Sequence, residues 1–198
     1  MLEEALDVIR ALWEGDTVDH HGAFYEVENA RLFDPPTVPP PIIVSGFGED
    51  SVRLAARIGD GLRGHGPDRE TVETYQDAGG TGHRYAQLNL CWAEDPEVAR
   101  KTVHELWPNG AIPGQLAQDL PTWAHFEQAA GLVAEADAAA DTPCGNDVEQ
   151  VLDSVRQYLD AGYDHIYFHQ IGPDQDGFFS FWTDRLQPAL AELSSSRA

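Results

Sequence analysis

The sequence predicts an α/β fold on a parallel sheet, amounting to about half of a (β/α)8 TIM barrel, and three observations carry that prediction. From residue 41 onward, short apolar runs alternate with amphipathic helical patterns, giving four strands with helices between them. Ala56-Arg57-Ile58-Gly59-Asp60-Gly61-Leu62 and Leu159-Asp160-Ala161-Gly162-Tyr163-Asp164-His165-Ile166 repeat one joint: helix, glycine, acid, strand. A doubly wound sheet would normally carry a phosphate fingerprint such as GxGxxG in its first turn, and the chain has none. A whole barrel takes about 250 residues and eight strands, against 198 residues here.

Leu2, Leu6, Ile9, Leu12 and Trp13 stand at helical spacing over residues 2–13, with Gly15 as the stop. Residues 18–29 predict a β-hairpin excursion around His21-Gly22. Five prolines between Asp34 and Pro41 forbid helix and central strand, leaving a rigid connector. It delivers the chain into Pro41-Ile42-Ile43-Val44-Ser45, an apolar run of the buried parallel type. A helix then runs to Ile58, with Gly59 as its left-handed closing residue. Asp60–Arg63 is the second strand, followed by a helix over residues 68–78. The third strand is Tyr85–Ala93, with Ala86, Leu88, Leu90 and Trp92 on its apolar face. Tyr85, Gln87, Asn89 and Cys91 occupy the other face, which suits a barrel interior near a ligand.

Residues 95–142 interrupt the alternation as an Ala-rich helical insertion, so the chain reads as one domain with two excursions. Asn146 is the predicted cap of the next helix, with Glu149 as its capping-box partner. Its stripe is Val148, Val151, Leu152, Val155 and Leu159, and Gly162 ends it. Asp164–Gln170 is the fourth strand. The last helix covers residues 178–193, ahead of a Ser-rich end expected to fray.

Composition narrows the partners. Twelve basic residues against 34 acidic ones leave a formal charge of −22, which repels nucleic acid and anionic lipid. Lys101 is the one lysine, and the acids are dispersed, a pattern favoured by a salt-loaded cytoplasm, where molar salt shrinks the Debye length to about 3 Å. No apolar run reaches the roughly 18 residues of a membrane span, and the first ten residues lack the basic and apolar regions of a secretory leader. Cys91 and Cys144, far apart and in unlike settings, argue against a disulfide framework. A soluble cytoplasmic protein is the expectation.

On such a fold, ligands meet the loops after the strands. Three of them stand out: Ser45-Gly46-Phe47-Gly48, Arg63-Gly64-His65-Gly66 and Gln170-Ile171-Gly172-Pro173. Their glycines admit close backbone approach, and a following helix N-terminus favours an anion. No metal site is expected. His165 and His169 stand about 13 Å apart along one strand, and His20 and His21 point apart at a hairpin turn. No nucleophile stands out either: Ser45 lacks a GxSxG elbow, and Cys91 reads as a buried packing residue. His169 is a polar wall or a proton donor. Trp92, Trp107, Trp123, Phe178, Phe179 and Trp182 read as core or subunit interface.

LWEGDTVDHHGAFYEVENARLFDPP and PPIIVSGFGEDSVRLAARIGDGL resemble the middle of the bacterial-luciferase-like flavin and deazaflavin oxidoreductases. DAGYDHIYFHQIGPDQDGFFSFW is similar to the branch of the F420-dependent glucose-6-phosphate dehydrogenases. The resemblance implies a TIM barrel, coenzyme F420 as hydride carrier, a homodimer and a cytoplasmic setting. It implies that Ser45, Gly46, Phe47 and Gly48 hold the cofactor's phosphate-bearing tail through backbone groups. Gly64 and His65 would face that tail as well, with Arg63 supplying local positive charge. On this reading Gly46→Val should clash with the phosphate.

Two departures limit the resemblance. Where glucose-6-phosphate members carry a lysine, this chain has Pro67-Asp68, and residues 139–145 carry none of their lysine and arginine. Sugar-phosphate recognition therefore lacks its cations. Members also have about four βα units ahead of the opening helix, which bring the catalytic histidine, tryptophan and glutamate. The expectation is thus a piece of a longer enzyme, holding the cofactor-tail half. Two alternatives stay open: an FMN-dependent luciferase-like monooxygenase, and a non-catalytic half-barrel serving binding or assembly.

Overall fold

The opening residues make a helix because apolar side chains recur every three to four positions, and α1 (Leu2–Trp13) buries Leu6 and Val8. The computed structural model describes residues 1–114 and 116–197. The chain forms two compact units, Met1–His65 with Arg69–Tyr85, and Gly66–Asp68 with Ala86–Ala198.

In the first unit, β1 (Val18–His21) and β2 (Glu26–Ala30) form an antiparallel pair. A register break between Val18 and His20 coincides with Asn29 at φ 51°, whose N–H is held by Asp19 Oδ1 at 2.7 Å. Glu4 of α1 ties the hairpin down by accepting the Tyr25 and Phe24 N–H groups and bonding His20 Nε2 at 3.1 Å. Desolvation raises the Glu4 carboxyl, but these bonds outweigh it and leave it below its ordinary value.

Parallel strands β3 (Ile43–Ser45) and β4 (Gly61–Arg63) follow, with α2 (Glu49–Ile58) between them and α3 (Arg69–Asp77) after. The first three residues of β5 (His83–Leu90) pair parallel with β4. Asp60 gives the glycine-acid-strand joint its purpose. Its Oδ2 accepts the Ile42 N–H at 2.8 Å and its own N–H bonds the Ile42 carbonyl at 2.7 Å, locking the entry of β3 to that of β4. Gly59 is extended, at φ −95° and ψ 162°, so the predicted left-handed ending of α2 does not form. A glycine is needed there for closeness: a Cβ would stand 2.9 Å from the Ala55 carbonyl oxygen and 3.0 Å from Val44 Cγ2. Leu6, Val44, Val52, Ala55, Ile58, Leu62 and Tyr75 close over one another as this unit's core.

In the second unit, the later residues of β5 neighbour β6 (His165–Gln170). The third strand ends at Leu90 rather than Ala93, and Cys91 then forms an isolated parallel bridge with Cys144. The two cysteines are therefore backbone neighbours, and both are buried as free thiols, which corrects the expectation of distant, unlike settings. The long stretch of sequence between them, residues 92–143, hides this pairing because the insertion folds back. That segment carries α4 (Pro96–Leu106), a 3-10 turn at Pro108–Ala111, α5 (Leu116–Asp119), α6 (Trp123–Ala130) and α7 (Glu135–Ala138). Cys91, Ala99, Val103, Ala138, Cys144 and Ile171 form a core cluster there.

The cap of α8 (Val148–Ala161) is Asp147, one residue later than expected, and its carboxylate accepts the Glu149 N–H at 3.0 Å. Asn146 instead donates to Glu94. Gly162 ends the helix in the left-handed region at φ 103°. The final helix begins early, as α9 (Gln175–Phe181), and widens into a π turn at Trp182–Leu186 before α10 (Gln187–Arg197). Pro188 explains the widening: it lacks an N–H, and in a regular helix its ring would press on the carbonyl four residues earlier. The Ser-rich end stays helical, with Ser194 and Ser195 bonding back to the Leu190 and Ala191 carbonyls and Arg197 reaching Asp160. Among the described residues no helix is long and apolar enough to cross a membrane.

Candidate functional site

The turn that follows β3 and the one that follows β4 meet in the first unit. Gly46 donates its N–H to the Arg63 carbonyl at 3.2 Å, so the ends of both strands are tied before the chains diverge. Ser45 Oγ lies 3.1 Å from His65 Nε2, and Arg63 Nη1 lies 3.3 Å from His65 Nδ1. Phe47 stacks on the His65 ring with centroids 3.3 Å apart and planes at 17°. Gly64 is buried beneath them and donates to the Tyr85 carbonyl at 2.9 Å.

The tautomer of His65 follows from its partners. A guanidinium only donates, so Nδ1 is the acceptor and Nε2 carries the hydrogen. Burial, then the Arg63 charge, lower the imidazole to about 4, which keeps the ring uncharged at neutral pH. Ser45 Oγ thus accepts from Nε2, and the serine's own proton is directed to another acceptor. A neutral relay beside a guanidinium, ending in a hydroxyl donor, is chemistry that suits an oxyanion.

The backbone of the turn is otherwise engaged. Ser51 Oγ accepts the Phe47 and Gly48 N–H groups, each at 3.0 Å, and donates to the Gly48 carbonyl at 2.8 Å. With Gly46 bonded to Arg63, the three amides expected to reach a ligand all have internal partners. Ser51 is the residue that sequence reasoning missed. Its signal was present: a serine three residues after a glycine cap returns its hydroxyl to the cap's backbone. The first turn of α2 also carries Glu49, paired with Arg53 at 2.8 Å, and Asp50, so its tip is acidic.

The two turn glycines differ. A Cβ at Gly46 would stand 2.7 Å from Val52 Cγ2 and 3.0 Å from the Val52 backbone, whereas a Cβ at Gly48 would meet nothing within 4 Å. The clash expected between a Gly46 side chain and a phosphate is therefore first a clash with α2. Gly48 leaves the open space.

The second unit holds a different grouping. Asn89 Oδ1 lies 2.7 Å from Gln87 Nε2 and 3.0 Å from His169 Nδ1. Trp107 packs against the core cluster around Cys91, Ala99 and Val103, as expected, and also sets its ring edge-on to His169 at 4.8 Å, so it joins that core to the polar wall. Trp123, by contrast, is 79% exposed and lies outside the core. The third predicted loop is bound internally: Gln170 Oε1 accepts the Trp92 N–H at 2.8 Å, and Gln175 Nε2 donates to the Gly172 carbonyl at 2.7 Å. In the first unit, His21, Glu26 and Glu28 bring ligand-type atoms within 4.8 Å of one another, all on exposed side chains. Surface groupings of this kind need no ion.

Comparison with known proteins accords with this fold. F420-dependent glucose-6-phosphate dehydrogenases from Nocardia farcinica and Kribbella flavida are 28% and 29% identical, covering 98% and 97% of this chain. The chain spans 61% of the length of each. Among solved structures, an F420-dependent secondary alcohol dehydrogenase in complex with an F420-acetone adduct superposes with a TM-score of 0.78 at 21% identity. That match covers 92% of this chain and 59% of the other. The F420-dependent tetrahydromethanopterin reductase of Methanopyrus kandleri gives 0.71 at 18%, covering 95% and 62%. These likenesses identify the fold as part of a luciferase-like TIM barrel. The family model described as luciferase-like monooxygenase matches residues 1–165, and the chain belongs to that family.

Proposed function

We propose that this chain is the cofactor-tail-binding part of an F420-dependent oxidoreductase acting on an alcohol- or sugar-type substrate. The observation that carries the reading is the Ser45–His65–Arg63 relay, which directs one hydroxyl proton outward beside a guanidinium. The open space at Gly48 and the names of the relatives support it. Ser45, Gly46, Phe47, Gly48, Arg63, Gly64 and His65 are the proposed tail site. Within it Ser45 donates, Arg63 supplies charge, and His65 fixes the direction of the donor. Gly46 and Gly64 keep the two turns close, and Phe47 holds the His65 ring. Ser51 occupies the amides of Phe47 and Gly48, which become donors to a ligand when its hydroxyl rotates away. When bound, F420 supplies the hydride-accepting ring; the residues here bind and orient its anionic end. A homodimer and a cytoplasmic setting belong to the same proposal for the intact protein.

The test is fluorescence titration of the 198-residue chain with F420, with the tail-less deazaflavin and with FMN. Ser45→Ala removes one charge-assisted hydrogen bond, worth about 1.5–3 kcal/mol, and should weaken F420 by roughly tenfold or more without changing the tail-less compound. Equal loss for both compounds would detach Ser45 from the tail, and tighter binding of FMN than F420 would favour the monooxygenase reading.

A further inference from the structure

We propose that Gln87, Asn89, His169 and Trp107 form a binding wall for a neutral hydroxyl- or carbonyl-bearing substrate, and that this wall disfavours phosphorylated ones. The inference rests on the oxidoreductase reading only for the word substrate; the recognition chemistry is drawn from the wall itself.

Strand alternation creates the wall. On β5, Ala86, Leu88 and Leu90 are buried, at 0%, 2% and 2% exposure, which turns Gln87 and Asn89 to the opposite face. Tyr158 of α8 donates to the Gln87 carbonyl at 3.0 Å and holds this stretch of strand in place. His169 on the neighbouring β6 joins the same side through Asn89. Trp107, at the C-terminus of α4, covers the imidazole, and Gly110 packs within reach of its pyrrole edge, so that a Cβ there would stand 2.9 Å from the Trp107 Cδ1. All four side chains are half-buried, and Trp107 also packs against the neighbouring core cluster.

The hydrogen bonds define what the wall accepts. Asn89 Oδ1 takes the Gln87 Nε2 hydrogen at 2.7 Å and faces His169 Nδ1 at 3.0 Å, closer than the 3.5 Å between Gln87 Nε2 and that nitrogen; Nδ1 is therefore the donor, and in the uncharged ring Nε2 is the acceptor. Two amides, an imidazole acceptor and an indole edge match a hydroxyl or a carbonyl. They match a phosphate poorly, because no cation stands among them. In this unit Arg100 pairs with Glu97, Arg156 with Glu149 and Asp153, and Arg197 with Asp160; Arg185 lies over the Phe181 ring, and Lys101 is an exposed residue of α4. A phosphate dianion would lose hydration here without a counter-charge, inside a chain of net charge −22. A neutral hydroxyl exchanges one set of hydrogen bonds for another.

The test is NMR on the 198-residue chain, following the Trp107 indole N–H and the His169 ring during titration with propan-2-ol, glucose and glucose 6-phosphate. F420 binding is measured separately by fluorescence. Saturable shifts are expected with at least one neutral probe, with glucose 6-phosphate requiring at least tenfold higher concentration. Asn89→Ala and His169→Gln should each weaken the neutral probe about tenfold. Gln87→Lys, which adds the missing cation, should improve glucose 6-phosphate binding by tenfold or more. Silence toward both neutral probes, or equal binding of the phosphate ester, overturns the proposal even if F420 binds normally. Intact neutral binding with no F420 binding overturns the tail-site reading and leaves this one standing.

Discussion

Alanine at Gly46 and alanine at Gly48, two residues apart in one turn, should do different things. At Gly46 the new Cβ would sit 2.7 Å from Val52 Cγ2 and 3.0 Å from the Val52 Cα and N. Val52 is 1% exposed and belongs to the core of its unit, so the backbone of α2 has to shift. Overpacking of this kind costs about 1–3 kcal/mol. For a chain of this size, each kcal/mol moves the thermal midpoint by about 2–4 °C, so a fall of roughly 2–12 °C is expected. At Gly48 the backbone is extended, at φ −136° and ψ 168°, and the Cβ meets nothing. The cost there is the preference of a helix cap for glycine over alanine, below about 1 kcal/mol and hence under about 4 °C. Ligand binding should reverse the order of interest: Gly48→Ala retains the fold and weakens F420 about tenfold, because its methyl fills open space proposed for the tail. Differential scanning fluorimetry and F420 titration read the two effects. Equal destabilisation by both variants would refute the packing argument, and unchanged F420 affinity in Gly48→Ala would remove Gly48 from the site.

Other expectations concern titration, thiols and helix ends. His65, lowered to about 4, should stay uncharged in an NMR titration until well below pH 6. Because the folded value lies below the ordinary 6.5, the unfolded chain binds more protons between them; stability is complete above about pH 6.5 and declines as the pH falls toward 4. Arg63→Gln should raise the His65 value, and an unaltered titration would show that burial alone sets it. Burial and the neighbouring Cys144 push the Cys91 thiol up to about 11, so both cysteines should react slowly with a disulfide reagent at pH 8 and fast once unfolded. Asp147→Ala should cost about 1 kcal/mol through the lost α8 cap, measured by urea denaturation, whereas Asn146→Ala should cost less. Gly162→Ala places a side chain at φ 103° and should cost about 1–2 kcal/mol in the same assay.

Local rules explain what was legible in the sequence. The period of Leu2, Leu6 and Ile9, the proline connector, the alternation on β5 and the glycine after Ala161 each concern neighbours within one or two turns. The αβ joints and the parallel pairing of β3 with β4 emerged for the same reason. The errors fall where a distant group overrides a local preference. Asp147 displaced Asn146 as a cap because Asn146 found Glu94, 52 residues away. Gly59 is required by the closeness of Val44, not by its own φ. The Ser-rich end stays helical with Arg197 anchored on Asp160.

The sequence by itself determined the parallel α/β class and the strongly acidic charge of the chain, and it pointed to the loops in which ligand chemistry should be sought. Only the tertiary structure decided which atoms in those loops remain available. Ser51 fills the amides of Phe47 and Gly48, His65 turns Ser45 into a donor, and Trp107 joins Asn89 and His169 across more than sixty residues of chain. The division has one cause: periodicity and turn chemistry are fixed by covalent neighbours, whereas hydrogen-bond occupancy and protonation depend on groups that meet only after the strands align.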